Sequence, residues 1–294
     1  MQKVQTGQVI EFYSNSCLVK TKFGKFDCVA IKNVVVGDFV EVEIIQDSKK
    51  PLGKIIKVNR RESKISKRIK NQNKLFAANI SHVGILVTQI PKTSSEFIDK
   101  WLVKANASNI KPFLINNKID MKQEKNYLEK LDIYKNINIK IIDTSAKYDK
   151  NISELKEFLT DKCEEFLTDK CVLFVGNSGA GKSTLTSKII GKNLKISSLS
   201  NDQGVHTTSI SSLYEIDSNI KIIDSPGMRD IAIENYSERE IINGFEEIHN
   251  ASKYCKFNNC NHIDNEGCNI TKKLLNDEIN ESRYNNFIKF LNIK

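Results

Sequence analysis

Over the first 58 residues apolar and polar positions alternate in short runs: GQVIEFY from Gly7, SCLVKTK from Ser16, FDCVAI from Phe26, DFVEVEII from Asp38 and GKIIKVN from Gly53. A period of two marks a strand with one buried face. Turn signals separate the runs at Asn15, Gly24, Gly37 and Lys49 through Gly53. Five short strands in so few residues predict a small barrel, OB-type by preference and SH3-like as the alternative. Residues 59–72 read as a charged linker. From residue 80 apolar strands at 83–88, 111–116, 139–144 and 171–176 alternate with helical patterns, as a mostly parallel sheet requires. Two more at 212–216 and 220–224 form a hairpin through Asp217-Ser218-Asn219. Residues 229–294 then become helical and polar.

Length sharpens this picture, because 294 residues exceed the ~100–200 of one domain. The expected class is multidomain α/β, divided at 1–70, 71–235 and 236–294. No apolar stretch approaches the ~18 residues of a membrane span, and the first twenty residues lack a signal-peptide core. The net charge of +9 is concentrated: residues 1–72 hold 15 Lys/Arg against 7 Asp/Glu. A solvated surface is the plain reading of such charge, but its concentration in one module beside a phosphate-handling domain points to nucleic acid. A tandem octapeptide, EFLTDKCE at 157–164 and EFLTDKCV at 165–172, matches no solenoid period and reads as a lengthened connector.

The chemistry sits where apolar strands end. Gly176-Asn177-Ser178-Gly179-Ala180-Gly181-Lys182-Ser183-Thr184 fits GxxxxGK[ST] between a strand and a helix. Its N–H groups would cradle phosphates, Lys182 would reach the β- and γ-phosphates, and Ser183 would give an oxygen to Mg²⁺. Asp224-Ser225-Pro226-Gly227 follows 48 residues after Gly176. Its carboxylate suits Mg²⁺ and the Gly227 N–H suits the γ-phosphate. Asn117-Lys118-Ile119-Asp120 ends another strand. Asp120 can accept both guanine donors, which adenine lacks, so a guanine nucleotide is expected. Ser145-Ala146 ends the next strand, with the Ala146 N–H aimed at guanine O6. In Gly204-Val205-His206-Thr207-Thr208 a threonine would complete the Mg²⁺ shell, Thr208 in preference to Thr207. Met228 stands where Ras-like enzymes carry a water-orienting Gln, leaving His206 beside Lys182 as the catalytic candidate. The guanine motifs precede the phosphate loop, so the GTPase domain is circularly permuted. Intact Lys182, Ser183 and Asp224 favour an enzyme over an RNA-binding scaffold that merely keeps the fold.

Seven cysteines are an odd number, which favours a reducing compartment, the cytoplasm by default. Cys255, Cys260, His262 and Cys268 lie within 14 residues and form a Cys₃His set suited to structural Zn²⁺, with His249 as a competing ligand. Cys17 and Cys28 read as small core residues.

NKID, GNSGAGKST, HTT, DSPG, the Cys/His cluster and an Arg283-Tyr284 pair together resemble the ribosome small-subunit-dependent GTPase A family over nearly the whole chain. The resemblance implies an N-terminal OB-fold, a permuted P-loop GTPase domain and a C-terminal helical zinc-binding domain. It also implies GTP hydrolysis stimulated by the small ribosomal subunit during late assembly, and contact with ribosomal RNA. The lack of an amphipathic basic helix disfavours a membrane partner, and a monomer is expected.

Overall fold

The computed structural model describes residues 4–13, 15–45, 51–69, 72–160, 170–191, 211–216, 220–224, 231–263 and 265–293. The first five strands are β1 (Val4–Tyr13), β2 (Ser16–Thr21), β3 (Gly24–Val29), β4 (Phe39–Ile45) and β5 (Leu52–Val58). Their inward positions build one core of Val9, Cys17, Val19, Phe26, Cys28, Val40, Val42 and Ile55. Pairing runs β1-β2-β3-β5-β4 and closes through β1–β4, with β3 and β5 parallel. This is the OB-type closure, so the SH3-like alternative is set aside. Cys17 and Cys28 face each other across β2 and β3, and burial pushes both thiols up, to about 12 and about 11.

The expected linker is instead a hairpin of β6 (Lys64–Ile69) and β7 (Gln72–Ala78), which crosses the expected boundary at 70/71. Its charges hide a short alternation. Lys64 is exposed while Ile65, Phe76 and Ala77 are buried in the core of the next domain.

That domain continues with β8 (His82–Val87), α1 (Ser95–Ala107), β9 (Lys111–Asn117), α2 (Lys125–Asn136), β10 (Ile141–Thr144), α3 (Ile152–Thr160), β11 (Lys170–Gly176), α4 (Lys182–Ile190), β12 (Ser211–Glu215) and β13 (Ile220–Asp224). The sheet order is β10-β9-β8-β11-β13-β12, all parallel except β12. Alternation on β11 sends Cys171, Leu173 and Val175 to one core and Val172 and Phe174 to the other. Gly84 on β8 is required by this packing. A Cβ there would stand 2.8 Å from both Phe113 and Phe174. Of the octapeptide repeat, Glu157–Thr160 close α3 and residues 170–172 lie in β11; residues 161–169 are outside the described residues. The first strand of the barrel joins this sheet: β1 pairs antiparallel with β12, Glu11 opposite Ser212 and Phe12 opposite Ser211. Lys20 and Glu215 form an ion pair beside it.

The C-terminal unit contains α5 (Glu238–Asn243), α6 (Glu246–Ser252), α7 (Asn269–Leu275) and α8 (Glu281–Leu291). Ser237 and Glu240 start α5 with a reciprocal capping box. Its core of Ile241, Phe245, Ile248, Ile270, Phe287 and Phe290 also takes in Val103 of α1. Arg283 fastens the unit to α1. Its guanidinium is fully buried, 2.6 Å from Asp99 and 2.8 Å from Glu247, and lies over the Phe245 ring. Asn286 and Tyr134 donate to the same Asp99 carboxylate. Burial opposes the Arg283 charge, but the two carboxylates outweigh it and hold the guanidinium protonated.

Candidate nucleotide and metal sites

Strand order reverses between β8 and β11, and β9, β10, β11 and β13 all end in a motif at this one side of the sheet. The phosphate loop follows β11 in the middle. NKID and the Ser145 segment follow β9 and β10 on one flank, and the Asp224 segment follows β13 on the other. Rotating the chain order leaves the strand order unchanged, so the permutation costs the site nothing in geometry.

Gly181 occupies the N-cap of α4 with a φ of 95°, and a Cβ there would stand 2.5 Å from Asn117 Nδ2. A left-handed backbone and a close neighbour both demand glycine. Asn117 is the knot of the site. Its Nδ2 donates to the Ala180 carbonyl at 2.8 Å, while its Oδ1 accepts from Thr144 Oγ1 at 3.2 Å and from the Ala146 N–H at 3.1 Å. One buried amide thus ties the phosphate loop to both guanine-side loops. The Ala146 N–H expected to face guanine O6 donates here to Asn117. Asp120, exposed at the loop tip, accepts from the Ser145 hydroxyl, which orients its carboxylate. Lys118, in the left-handed region at φ 69°, lays its stem across the loop and donates to the Ile90 carbonyl at 2.9 Å. The N–H of Ile119 bonds the Thr144 carbonyl at 3.2 Å.

Lys182 Nζ donates to the carbonyls of Gly176 at 2.6 Å and Asn177 at 3.1 Å, folded over its own loop. Ser178 and Gly179 are exposed at the loop tip; Ser183 and Thr184 open α4, half-buried. Asp224 ends β13. The Ser183 hydroxyl and the Asp224 carboxylate are hard oxygen donors of the kind Mg²⁺ takes. Gly204 through Thr208, which include His206, Thr207 and Thr208, lie outside the described residues, as do Gly227 and Met228.

Residues 88–93 are a part of the site that the motifs did not disclose. Thr88 and Thr93 close this loop on each other, and its Lys92 carbonyl accepts from Asn177 Nδ2 at 3.1 Å. The signal was positional: the loop follows β8, between the two strands that carry the phosphate and NKID loops.

The four ligand atoms of Cys255, Cys260, His262 and Cys268 lie within 4.8 Å of one another. Cys255 Sγ is 4.0 Å from Cys268 Sγ and 3.7 Å from His262 Nδ1, which is 3.9 Å from Cys268 Sγ. A tetrahedral ion with bonds near 2.3 Å sets its sulfurs about 3.8 Å apart, so this set fits zinc. Burial lowers the His262 pKa and favours the neutral, ligating ring. Burial alone would raise the Cys268 thiol, but the Thr271 hydroxyl and the N–H groups of Thr271 and Ile270 hold it below its ordinary value. The Tyr284 hydroxyl fixes the loop through the His262 carbonyl at 2.8 Å. His249 is not part of the cluster. Cys260→Ser should lower bound metal from about one ion per chain and loosen the C-terminal unit while leaving nucleotide affinity intact. Metal analysis with hydrogen exchange checks this; a metal-free chain with a rigid unit would refute it.

No helix among the described residues is long and apolar enough to cross a membrane. The family model for the RsgA GTPase matches residues 58–234. The chain is 33% identical over 285 residues to the small ribosomal subunit biogenesis GTPase RsgA of Flavobacterium psychrophilum, covering 94% of this chain and 85% of the relative. It is 34% identical to the protein of that name from Flavobacterium johnsoniae, covering 98% and 88%. Among solved structures it resembles YjeQ from Thermotoga maritima at a TM-score of 0.74 and 28% identity, covering 98% of each chain. YloQ, a circularly permuted GTPase, superposes at 0.70 and 20% identity, covering 98% of this chain and 94% of that one. With motif loops, strand order and relatives in agreement, the chain belongs to the RsgA GTPase family.

Proposed function

We propose that this protein hydrolyses GTP to GDP and phosphate on the small ribosomal subunit, as a factor in the subunit's late assembly. The observation that carries the reading is Asn117, one amide joining the phosphate loop to the guanine-side loops. The names of the relatives supply the partner.

Asp120 reads guanine, with Asn117, Lys118, Ile119, Ser145 and Ala146 shaping its loop. Residues 176–184 wrap the phosphates. The Gly176 and Asn177 carbonyls hold Lys182 over that loop, ready to pair with the β- and γ-phosphates. Ser183, Asp224 and Thr208 would hold Mg²⁺, which when bound neutralises phosphate charge. Gly227 would sense the γ-phosphate. The zinc is structural, since protein fills all four positions. We keep a functional division near residues 70 and 235, with hairpin β6–β7 as the joint between barrel and GTPase domain. The basic barrel contacts ribosomal RNA, and the protein acts as a monomer in the cytoplasm, away from membranes.

Met228 offers no polar group to the attacking water, so intrinsic turnover should be slow. His206 is the candidate to orient that water once the subunit orders its loop. GTP turnover with and without purified small subunits tests the function. Stimulation of the natural protein is expected, and its absence would sink the reading. His206→Ala should lose most of the stimulation, about a hundredfold or more, with GTP affinity nearly unchanged. Full stimulation in that variant would assign the water to another group.

A further inference from the structure

Barrel, GTPase domain and C-terminal unit meet around a groove of about 820 Å³. That volume lies within the range of small-ligand sites. One wall is the end of the barrel and the start of β6, with Lys32, Asn59 and Lys64. The floor is the last turn of α1 and the residues just after it, with Lys104 and Asn109. The third wall is the segment at 232–236, with Asn235 and Tyr236, which begins five residues beyond Gly227.

Lys104 marks what the groove takes. It is 5% exposed, its ammonium donates to the Ser66 carbonyl, and no carboxylate pairs with it among the described residues. Burial pushes its pKa down to about 8. A buried cation without a counter-charge is costly unless an anion comes to it. The acidic groups of the groove do not supply one. Glu240 is spent on the Ser237 capping box, and Asp38, behind the wall and outside the lining, is spent on Arg61 at 2.6 and 2.8 Å. Glu62 is exposed at the rim. Asparagine amides and one tyrosine ring complete a surface that combines phosphate attraction with hydrogen bonds to a base edge, as unstacked RNA bases require.

We propose that this groove seats one nucleotide of single-stranded RNA, its phosphate toward Lys104 and Lys64 and its base toward Tyr236 and the asparagine amides. The proposal rests on the RNA-binding reading above and gives it an address. Because all three units wall the groove, the nucleotide binds one arrangement of the domains and favours that arrangement over others.

The test uses the full-length protein without ribosomes and a fluorescent uridine hexamer carrying one 4-thiouridine. Photocrosslinks should map to residues 59–66 or 232–240. Lys104→Met, which keeps the apolar stem, should weaken hexamer binding about tenfold. It should also reduce the slope of log affinity against log salt by about 0.7, the share of one phosphate on a single strand. Lys104→Arg should restore both, and unchanged fluorescence of Trp101 would show the variants folded. UMP and inorganic phosphate, tried as competitors, should displace the hexamer only weakly. Crosslinks confined to the outer barrel, or an unaltered salt slope in Lys104→Met, would overturn the proposal. Phosphate competing as well as RNA would make this a free-anion site and overturn it too. Small-subunit stimulation of the natural protein judges the parent reading separately, so stimulation with no crosslink in the groove would sink the groove alone.

Discussion

Asp120→Asn should lower GTP affinity by about a hundredfold or more and raise affinity for xanthosine triphosphate. Guanine offers N1–H and the N2 amino group side by side, and a carboxylate accepts both. Hydrogen bonds to a charged group contribute about 1.5–3 kcal/mol each, and a site built on such a pair discriminates strongly. An amide at 120 keeps one acceptor and turns a donor toward the N2 amino group. Xanthine has a carbonyl there, so the mismatch becomes a match. The Ser145 hydroxyl, which now holds the Asp120 carboxylate, can equally donate to an amide oxygen, so the loop should keep its shape. Titration with fluorescent GTP and its xanthosine counterpart gives the answer. Unchanged preference for GTP would remove Asp120 from the base site.

Arg283→Ala should destabilise the protein by about 3–5 kcal/mol, because it strands the fully buried Asp99 carboxylate and leaves the half-buried Glu247 without its partner. Asp99 is fully buried and, among the described residues, keeps Asn286 and Tyr134 as its side-chain partners once Arg283 is gone. The pH dependence follows from the direction of one shift. Burial already raises the Asp99 pKa in the folded protein, and losing the guanidinium raises it further. A carboxyl with a raised folded pKa binds more protons folded than unfolded. Its contribution is therefore intact below the ordinary carboxylate pKa and is lost as pH rises through the folded value. The variant should lie nearest the natural protein in mild acid and farthest at neutral pH. Denaturant unfolding followed by Trp101, the single tryptophan and a neighbour on α1, measures both points. Adding Asp99→Asn should recover part of the loss at neutral pH. A pH-independent deficit would mean that Arg283 stabilises by packing alone.

The nucleotide loops were legible in the sequence because each is contiguous and needs only a few residue types after an apolar strand. The Cys₃His cluster was legible for the same reason: 14 residues hold the whole ligand set. The barrel was legible from its alternation, but its closure was not, since the parallel β3–β5 pair joins strands that are not consecutive. The β6–β7 hairpin was hidden because Lys64, Lys67, Arg68 and Lys70 outweigh the two or three apolar residues that bury it. Arg283 was noticed only as half of a pair with Tyr284. Its partner Asp99 is 184 residues away, and no local pattern reports such a contact. The groove around Lys104 was invisible for the same reason, as three distant segments wall it.

The pairing of β1 with β12 also bears on solubility. A strand at the border of a sheet offers unpaired N–H and C=O groups on which other chains can stack. At the far border, β10 limits that risk by being only four residues long. At the near border the chain's own barrel covers Ser211 and Ser212, and the Lys20–Glu215 pair puts charge beside the rest of β12. The barrel therefore caps the sheet, in addition to the RNA contact proposed for it. A chain cut near residue 58 should self-associate through the uncovered β12, forming light-scattering aggregates that the intact protein does not. Charge-reversing substitutions at Lys22, Lys25 and Lys54, which leave β1 in place, would separate the RNA contact proposed for the barrel from its service as a cap.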